Sequence, residues 1–318
     1  MDGALVGREY AEHLTDTDLK LLASAAGAPA PGAPAPGGPP GAVPVLPADA
    51  DAGWLRRDPA AIPGLLGDPR VFEAVFGWPV VGGGDQGWPP RPGQAVPVSP
   101  FLTFAVAVHR SAIELASMGH VAERTGPRQR IPLFDAPALR DFLADTARRL
   151  FLAELLASFT RVASGRYRVR VAGRARTRRF SELDPVRLAG LLDAVPEAER
   201  PGVYRRLGDV SLFLTGVFPD YVTSRAFGPV DAGRLLRAAG LPAPQRERLA
   251  AGPAIDLLEY LGARWYRIAC EVAPVRTARL AVAGDVADRF RQARRVLNHL
   301  ADRYLLAAGQ SWFSSPGS

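Results

Sequence analysis

Near the C-terminal end apolar positions recur at alternating steps of four and three. In "GDVADRFRQARRVLNHLADRYLLA" they are Val286, Phe290, Ala293, Leu297, Leu300 and Tyr304. That period predicts one long helix with a core-facing stripe. "ALRDFLADTARRLFLAELLASFTRV" and "AIDLLEYLGARWYRIACEVA" predict two more long helices. Asp58-Pro59, Asp68-Pro69, Ser99-Pro100 and Asp184-Pro185 each set a capping side chain before a proline suited to the first helical position. Asp135, with Pro137 two residues on, resembles them, and Gly77 is a helix stop after "DPRVFEAVF". Alternation of period two occurs in two places. "SMGHVAERTGPRQRIPLF" carries a Thr-Gly-Pro turn, and "GRYRVRVAGRARTRRF" sets Tyr167, Val169 and Val171 against Arg166, Arg168 and Arg170. The predicted fold class is mostly α: a helical body with one or two β-hairpins, about 118–134 and 166–180.

The N-terminal block 1–24 predicts a short helix over 8–24, with Leu14, Leu19 and Leu22 near one face. Residues 25–50 are a Pro/Gly/Ala-rich linker that cannot bury a core, so this helix is expected to be a tethered element. Residues 51–318 are expected to form a single mainly helical domain, with a long Gly/Pro loop at 78–98.

Composition adds three bounds. The chain has 318 residues, 47% hydrophobic and 22% charged, which is globular in character. Lys20 is the only lysine, so the cations are almost all arginine. The Ala/Gly/Pro/Arg bias looks like that of a GC-rich bacterial genome, which favours arginine regardless of function. Residues 155–181 nevertheless hold eight arginines and no acid, enough to account for the whole formal net charge of +7. The basic character is therefore one patch. Cys270 is the single cysteine, so neither an intrachain disulfide nor a CxxC metal site is available. No apolar stretch approaches the roughly 20 residues of a membrane helix, and no basic n-region precedes an apolar core at the N-terminus. The expectation is a cytoplasmic protein with no membrane partner.

The hairpin is the first candidate for chemistry. Arg166, Arg168 and Arg170 face outward by alternation, and Arg174, Arg176 and Arg178 on the second arm are expected to add a parallel row. Such rows suit a polyanion, either nucleic acid or an acidic protein. The competing reading is a solvated face whose arginines pair with acids elsewhere in the fold. With only Tyr167 and Phe180 as aromatics, single-strand stacking is disfavoured.

Histidines are the second candidate. His13 and Asp16, His120 and Glu123, and His299 and Asp302 are each three residues apart. His13 lies beyond the flexible linker, and His120 and Glu123 fall in a predicted strand where that spacing points them to opposite faces. Only His299 with Asp302 remains as a helical pair, and two ligands do not make a metal site. His109 and Glu114, one helix earlier, with Asp209 and His299, define an alternative: an enzyme or small-ligand binder, metal-dependent or not. The metal itself stays unknown. No motif calls for a cofactor. "GGGDQG" at 82–87 lacks the lysine and hydroxyl of a P-loop, no GxSxG occurs, and Cys270 reads as a buried structural thiol.

"YRRLGDVSLFLTGVFPDY", residues 204–221, reads as a helix buried almost all round that ends at Phe218-Pro219. Gly208 and Gly216 are expected where a neighbour approaches closely. Asp209 is expected to pair with Arg205, Arg206 or a hairpin arginine. Gly208, Asp209, Leu212, Phe213, Gly216, Phe218, Pro219 and Asp220 resemble a motif of an uncharacterised bacterial protein family, GDxxLFxxGxFP(D/E). "VSPFLTFAVAVHR" and "ARRVLNHLADRYL" are similar to other parts of that family. The resemblance implies no activity and supplies no catalytic residues. The reading favoured by the residues is a non-catalytic binding or accessory protein that contacts an anionic partner through the arginine hairpin.

Overall fold

Capping side chains start several helices where the sequence places them. The computed structural model describes residues 3–27, 52–77, 97–126, 129–171, 174–224, 227–306 and 312–313; for 169–171 and 174–176 it describes the backbone alone. Asp68 accepts from the Arg70 amide to open Pro69–Phe76, which Gly77 closes in the left-handed region at φ 68°. Ser99 accepts from Leu102 N to open Pro100–Ser117, and Asp184 accepts from Val186 N and Arg187 N to open Pro185–Ala189. Asp58 makes no such bond, and the turn after it is the short 3-10 segment Pro59–Ala61. The fold is mostly α, with two antiparallel two-stranded sheets among the described residues. These are β1 (Val121–Gly126) with β2 (Gln129–Leu133), and β3 (Ser164–Val171) with β4 (Arg174–Ser181). Among the described residues no helix is long and apolar enough to cross a membrane.

Three predicted helices are each divided. The segment 8–24 is two helices, Gly3–His13 and Asp16–Gly27, separated by a reciprocal cap. Thr15 Oγ1 accepts from Asp18 N at 3.2 Å, while Asp18 Oδ2 accepts from Thr15 N at 2.8 Å. This Thr-x-x-Asp box restarts the helix. Asp145 divides Ala136–Ala144 from Thr146–Ser158 by accepting from Ala147 N at 2.7 Å. The terminal helix bends at Arg289 (φ −120°, ψ 30°), between Ala278–Asp288 and Phe290–Leu300.

In place of one domain over 51–318 there are two compact units. The first takes in the described residues of 1–118 and 143–157. Its N-terminal helices are not a tethered element: Tyr10, Leu19 and Leu22 are at most 2% exposed. Asp18 Oδ1 also accepts from Ser99 N at 2.9 Å, which ties the second helix to the start of Pro100–Ser117. The expected linker (from residue 28) and most of the expected loop (78–96) lie outside the described residues.

The second unit, residues 119–142 and 158–305, is built on Arg200–Val217 packed against Ala254–Val272 and Phe290–Leu300. Every residue from Leu207 to Val217 is buried, as its sequence pattern predicts. Close approach explains both glycines: a Cβ on Gly208 would stand 2.5 Å from the Tyr266 ring, and one on Gly216 would stand 2.6 Å from Leu297 Cβ. Phe213 stacks on Phe159 at 4.2 Å and meets Phe218 and Phe313 edge-on. Pro219 opens the next helix, Pro219–Ser224. Arg124 on β1 covers this junction, donating to Val217 O at 2.7 Å and lying 3.6 Å from Asp220.

Gly208→Ala tests that packing. On an exposed helix the change would stabilise by up to about 1 kcal/mol. Here the methyl must displace a fully buried Tyr266 that is hydrogen-bonded to Asp209, so a loss of about 1–3 kcal/mol is expected in urea unfolding. A stabilised variant would show that the two helices do not touch there.

Candidate functional site

The β3–β4 ribbon pairs Arg166 with Arg179, Tyr167 with Arg178 and Arg168 with Thr177. Directly opposed residues share a face. Arg166, Arg168 and Arg179 therefore occupy one face, and Arg178 shares the other with Tyr167. The expectation of two parallel rows on one face is corrected by this register. Even-numbered residues pair with odd-numbered ones, so Arg178 falls on the face opposite Arg166 and Arg168. Arg170, Arg174 and Arg176 have Ala175, Val171 and Val169 as Cα partners; their side chains lie outside what is described. Arg166, Arg168, Arg178 and Arg179 are exposed, and among the described residues none has an ion pair or side-chain hydrogen bond.

A cleft of about 780 Å³ opens at the base of the ribbon. Tyr167, Arg178 and Arg179 line it from the strands, Arg187 from Pro185–Ala189, and Arg234 and Arg237 from Pro229–Ala238. The last helix buries Ala232, Leu235 and Leu236, which turns Arg234 and Arg237, three residues apart, outward together. Gly190 admits the tyrosine: a Cβ there would stand 2.7 Å from Tyr167 Oη. Among the described residues the lining counts five arginines and one acidic residue, Asp193. Arg187 pairs outside the lining with Asp184 at 3.0 Å, and Arg234 with Asp231 at 3.3 Å. Arg237, like Arg178 and Arg179, has no ion pair among the described residues. Arg179, Arg187, Arg234 and Arg237 were not singled out by sequence. The last two were legible as an i, i+3 arginine pair opposite the apolar stripe of "GRLLRAAG".

The alternative residues divide between the units. In the first, His109 is 2% exposed, with Nε2 3.0 Å from Tyr10 Oη and Nδ1 3.4 Å from an Arg149 Nη1. Arginine can only donate, so Nδ1 is the acceptor and the neutral ring carries its proton on Nε2. Burial, then the Arg149 charge, pushes the His109 pKa down to about 3. Burial also holds the Tyr10 hydroxyl well above its ordinary value. Glu114 accepts from Arg110 at 3.0 Å.

In the second unit Asp209 is buried and accepts from Tyr266 Oη at 2.8 Å, with Arg206 at 3.9 Å. Arg206, one of the expected partners, is also held by Glu182 at 3.0 Å and lies 3.9 Å over the Phe159 ring. His299 is buried on Phe290–Leu300.

The expected histidine–carboxylate spacings place their acids elsewhere. Asp16 pairs with Arg56, and His13 bonds Glu154 at 2.7 Å. Glu123 pairs with Arg294 and Arg295, and Asp302 with Arg124 and Arg130. Among the described residues no group of three His, Cys, Asp or Glu side chains could hold a metal. Cys270 is half-buried and donates to Leu280 O at 3.3 Å, and burial raises its pKa. Compared with protein-family models, with curated proteins and with solved structures, the chain finds no match.

Proposed function

We propose that this chain is a non-catalytic accessory protein whose β3–β4 ribbon grips the phosphate backbone of a nucleic-acid duplex. The observation that supports the reading is the set Arg166, Arg168, Arg178 and Arg179, exposed on both faces of the ribbon and free of ion pairs among the described residues. The competing reading has these arginines pair with carboxylates elsewhere in the fold, as Arg206 and Arg294 do, and among the described residues they have no such pair. Alternate residues on a strand are about 6.8 Å apart, twice the rise per nucleotide of one strand, so Arg166 and Arg168 suit spaced phosphates. A two-stranded ribbon also fits the major groove, where phosphates flank it on both sides. Tyr167 and Phe180 are half-buried and too few to stack successive bases of a strand, which favours a duplex over a single strand.

The test is fluorescence anisotropy with a labelled duplex across salt concentrations. Each lost phosphate contact lowers the slope of log K against log salt by about 0.9. Replacing Arg166, Arg168, Arg178 and Arg179 together by glutamine should cut the slope by roughly 3 to 4 and weaken binding at low salt at least about tenfold. Thermal unfolding should be unchanged, because these side chains are exposed. Equal binding by a folded variant would sink the reading.

A further inference from the structure

We infer that the cleft at the base of the ribbon is a separate binding site for a small ligand carrying two or more phosphate groups, a nucleoside di- or triphosphate being the chemistry that fits. The cleft shares Arg178 and Arg179 with the ribbon but draws Arg187, Arg234 and Arg237 from two helices outside it. Its volume of about 780 Å³ is that of a pocket for one small molecule. Like charges converge on a concave surface only against mutual repulsion, and a counter-anion relieves it.

Among the described residues Asp193 is the one acidic residue in a lining that counts five arginines. The two pairs at the rim, Arg187–Asp184 and Arg234–Asp231, are between exposed partners, the kind that contributes least and exchanges most readily for a phosphate. Arg178, Arg179 and Arg237 have no ion pair among the described residues. Guanidinium forks match phosphate oxygens two at a time, so several arginines around one space suit a chain of phosphates better than a single phosphate. The rest of the lining is of another kind. Tyr167, Val186 and Ala238 are apolar or aromatic residues of the same lining. A ligand with a flat apolar end and a polyphosphate end meets both.

The experiment is isothermal titration calorimetry of the full chain with ATP and with inorganic pyrophosphate, without metal. ATP should bind, and Arg237→Gln should weaken it about tenfold, the loss expected for a charge-assisted contact. Arg237→Lys, which keeps the charge, should recover part of that loss. Tyr167→Leu should weaken ATP while leaving pyrophosphate alone. The ribbon pair Arg166→Gln/Arg168→Gln should leave ATP binding intact while weakening the duplex, and Arg237→Gln should do the reverse. Failure of the cleft is thereby distinguished from failure of the ribbon.

No heat with either ligand would overturn the site, as would ATP binding that is indifferent to Arg237→Gln. A second source of the same chemistry is the terminal phosphate of a strand held on the ribbon. If a 5′-phosphorylated duplex binds more tightly than its 5′-hydroxyl counterpart, with dependence on Arg237, and ATP does not bind, the small-ligand assignment is overturned.

Discussion

Arg294→Met should destabilise the second unit by about 2–4 kcal/mol, the cost of leaving two largely buried carboxylates with one arginine each. Arg294 is 5% exposed, although it lies on the helix Phe290–Leu300, whose other arginines reach further into solvent. It donates to Glu123 of β1 at 2.5 Å and to Glu259 of Ala254–Val272 at 2.9 Å. One guanidinium thus joins a strand and a helix distant in sequence. Glu259 keeps Arg291 at 2.7 Å after the change, but Glu123, itself 6% exposed, keeps only Arg295. The comparison variant is Arg294→Met/Glu123→Gln, which removes the more buried of the two carboxylate charges and should recover part of the loss. Urea midpoints of wild type, single and double variants measure the effect. A single-variant loss under about 1 kcal/mol would show that water reaches Glu123 and that the pair is an ordinary surface one.

Acid should loosen the first unit through His109. Its folded pKa of about 3 lies below the ordinary value near 6.5. Between those limits the unfolded chain binds a proton that the folded chain refuses, so unfolding free energy rises with pH across the window. The contribution is fully present above about pH 6.5 and is lost as pH falls toward 3. At the acid end it amounts to something on the order of 4 kcal/mol. Tyr10 and Arg149 face the ring, and neither offers a carboxylate to stabilise an imidazolium. His109→Gln can still receive from Arg149 and donate to Tyr10. It should cost a little stability at pH 7.5 and flatten the decline between pH 6.5 and 4.5. Urea unfolding at four pH values, with the His109 ring shift followed by NMR, decides this. A ring that titrates near 6.5 in the folded protein would remove the basis for the prediction.

Local signals in the sequence were strong where the physics is local. A cap satisfies amides within three residues, so Asp68, Ser99 and Asp184 could be read as helix starts without knowing anything else about the chain. The two hairpins followed from alternation, and the close approach at Gly208 and Gly216 from glycine's cost inside a helix. The Thr15–Asp18 box and the Asp145 cap were equally local signals within longer helical patterns. Their presence made two helices out of an expected one.

Partners and faces belong to another scale. The histidine–acid spacings were present in the sequence, yet Glu123 is taken by arginines 171 and 172 positions away, because packing of Phe290–Leu300 on β1 brings a guanidinium nearer than any imidazole. The ribbon's arginine content was evident from composition, but its register, which sends Arg178 to the face of Tyr167, depends on how two strands pair. The cleft joins Arg178 and Arg179 to Arg187, Arg234 and Arg237, residues spread over some sixty positions that the docking of two short helices brings around one space. By itself, then, the sequence determined helix starts, the two hairpins and a single basic patch, because caps and periodicity act over a few residues. Tertiary structure alone decided which acids neutralise which arginines and which arginines stay available, because those outcomes depend on distances that only packing sets.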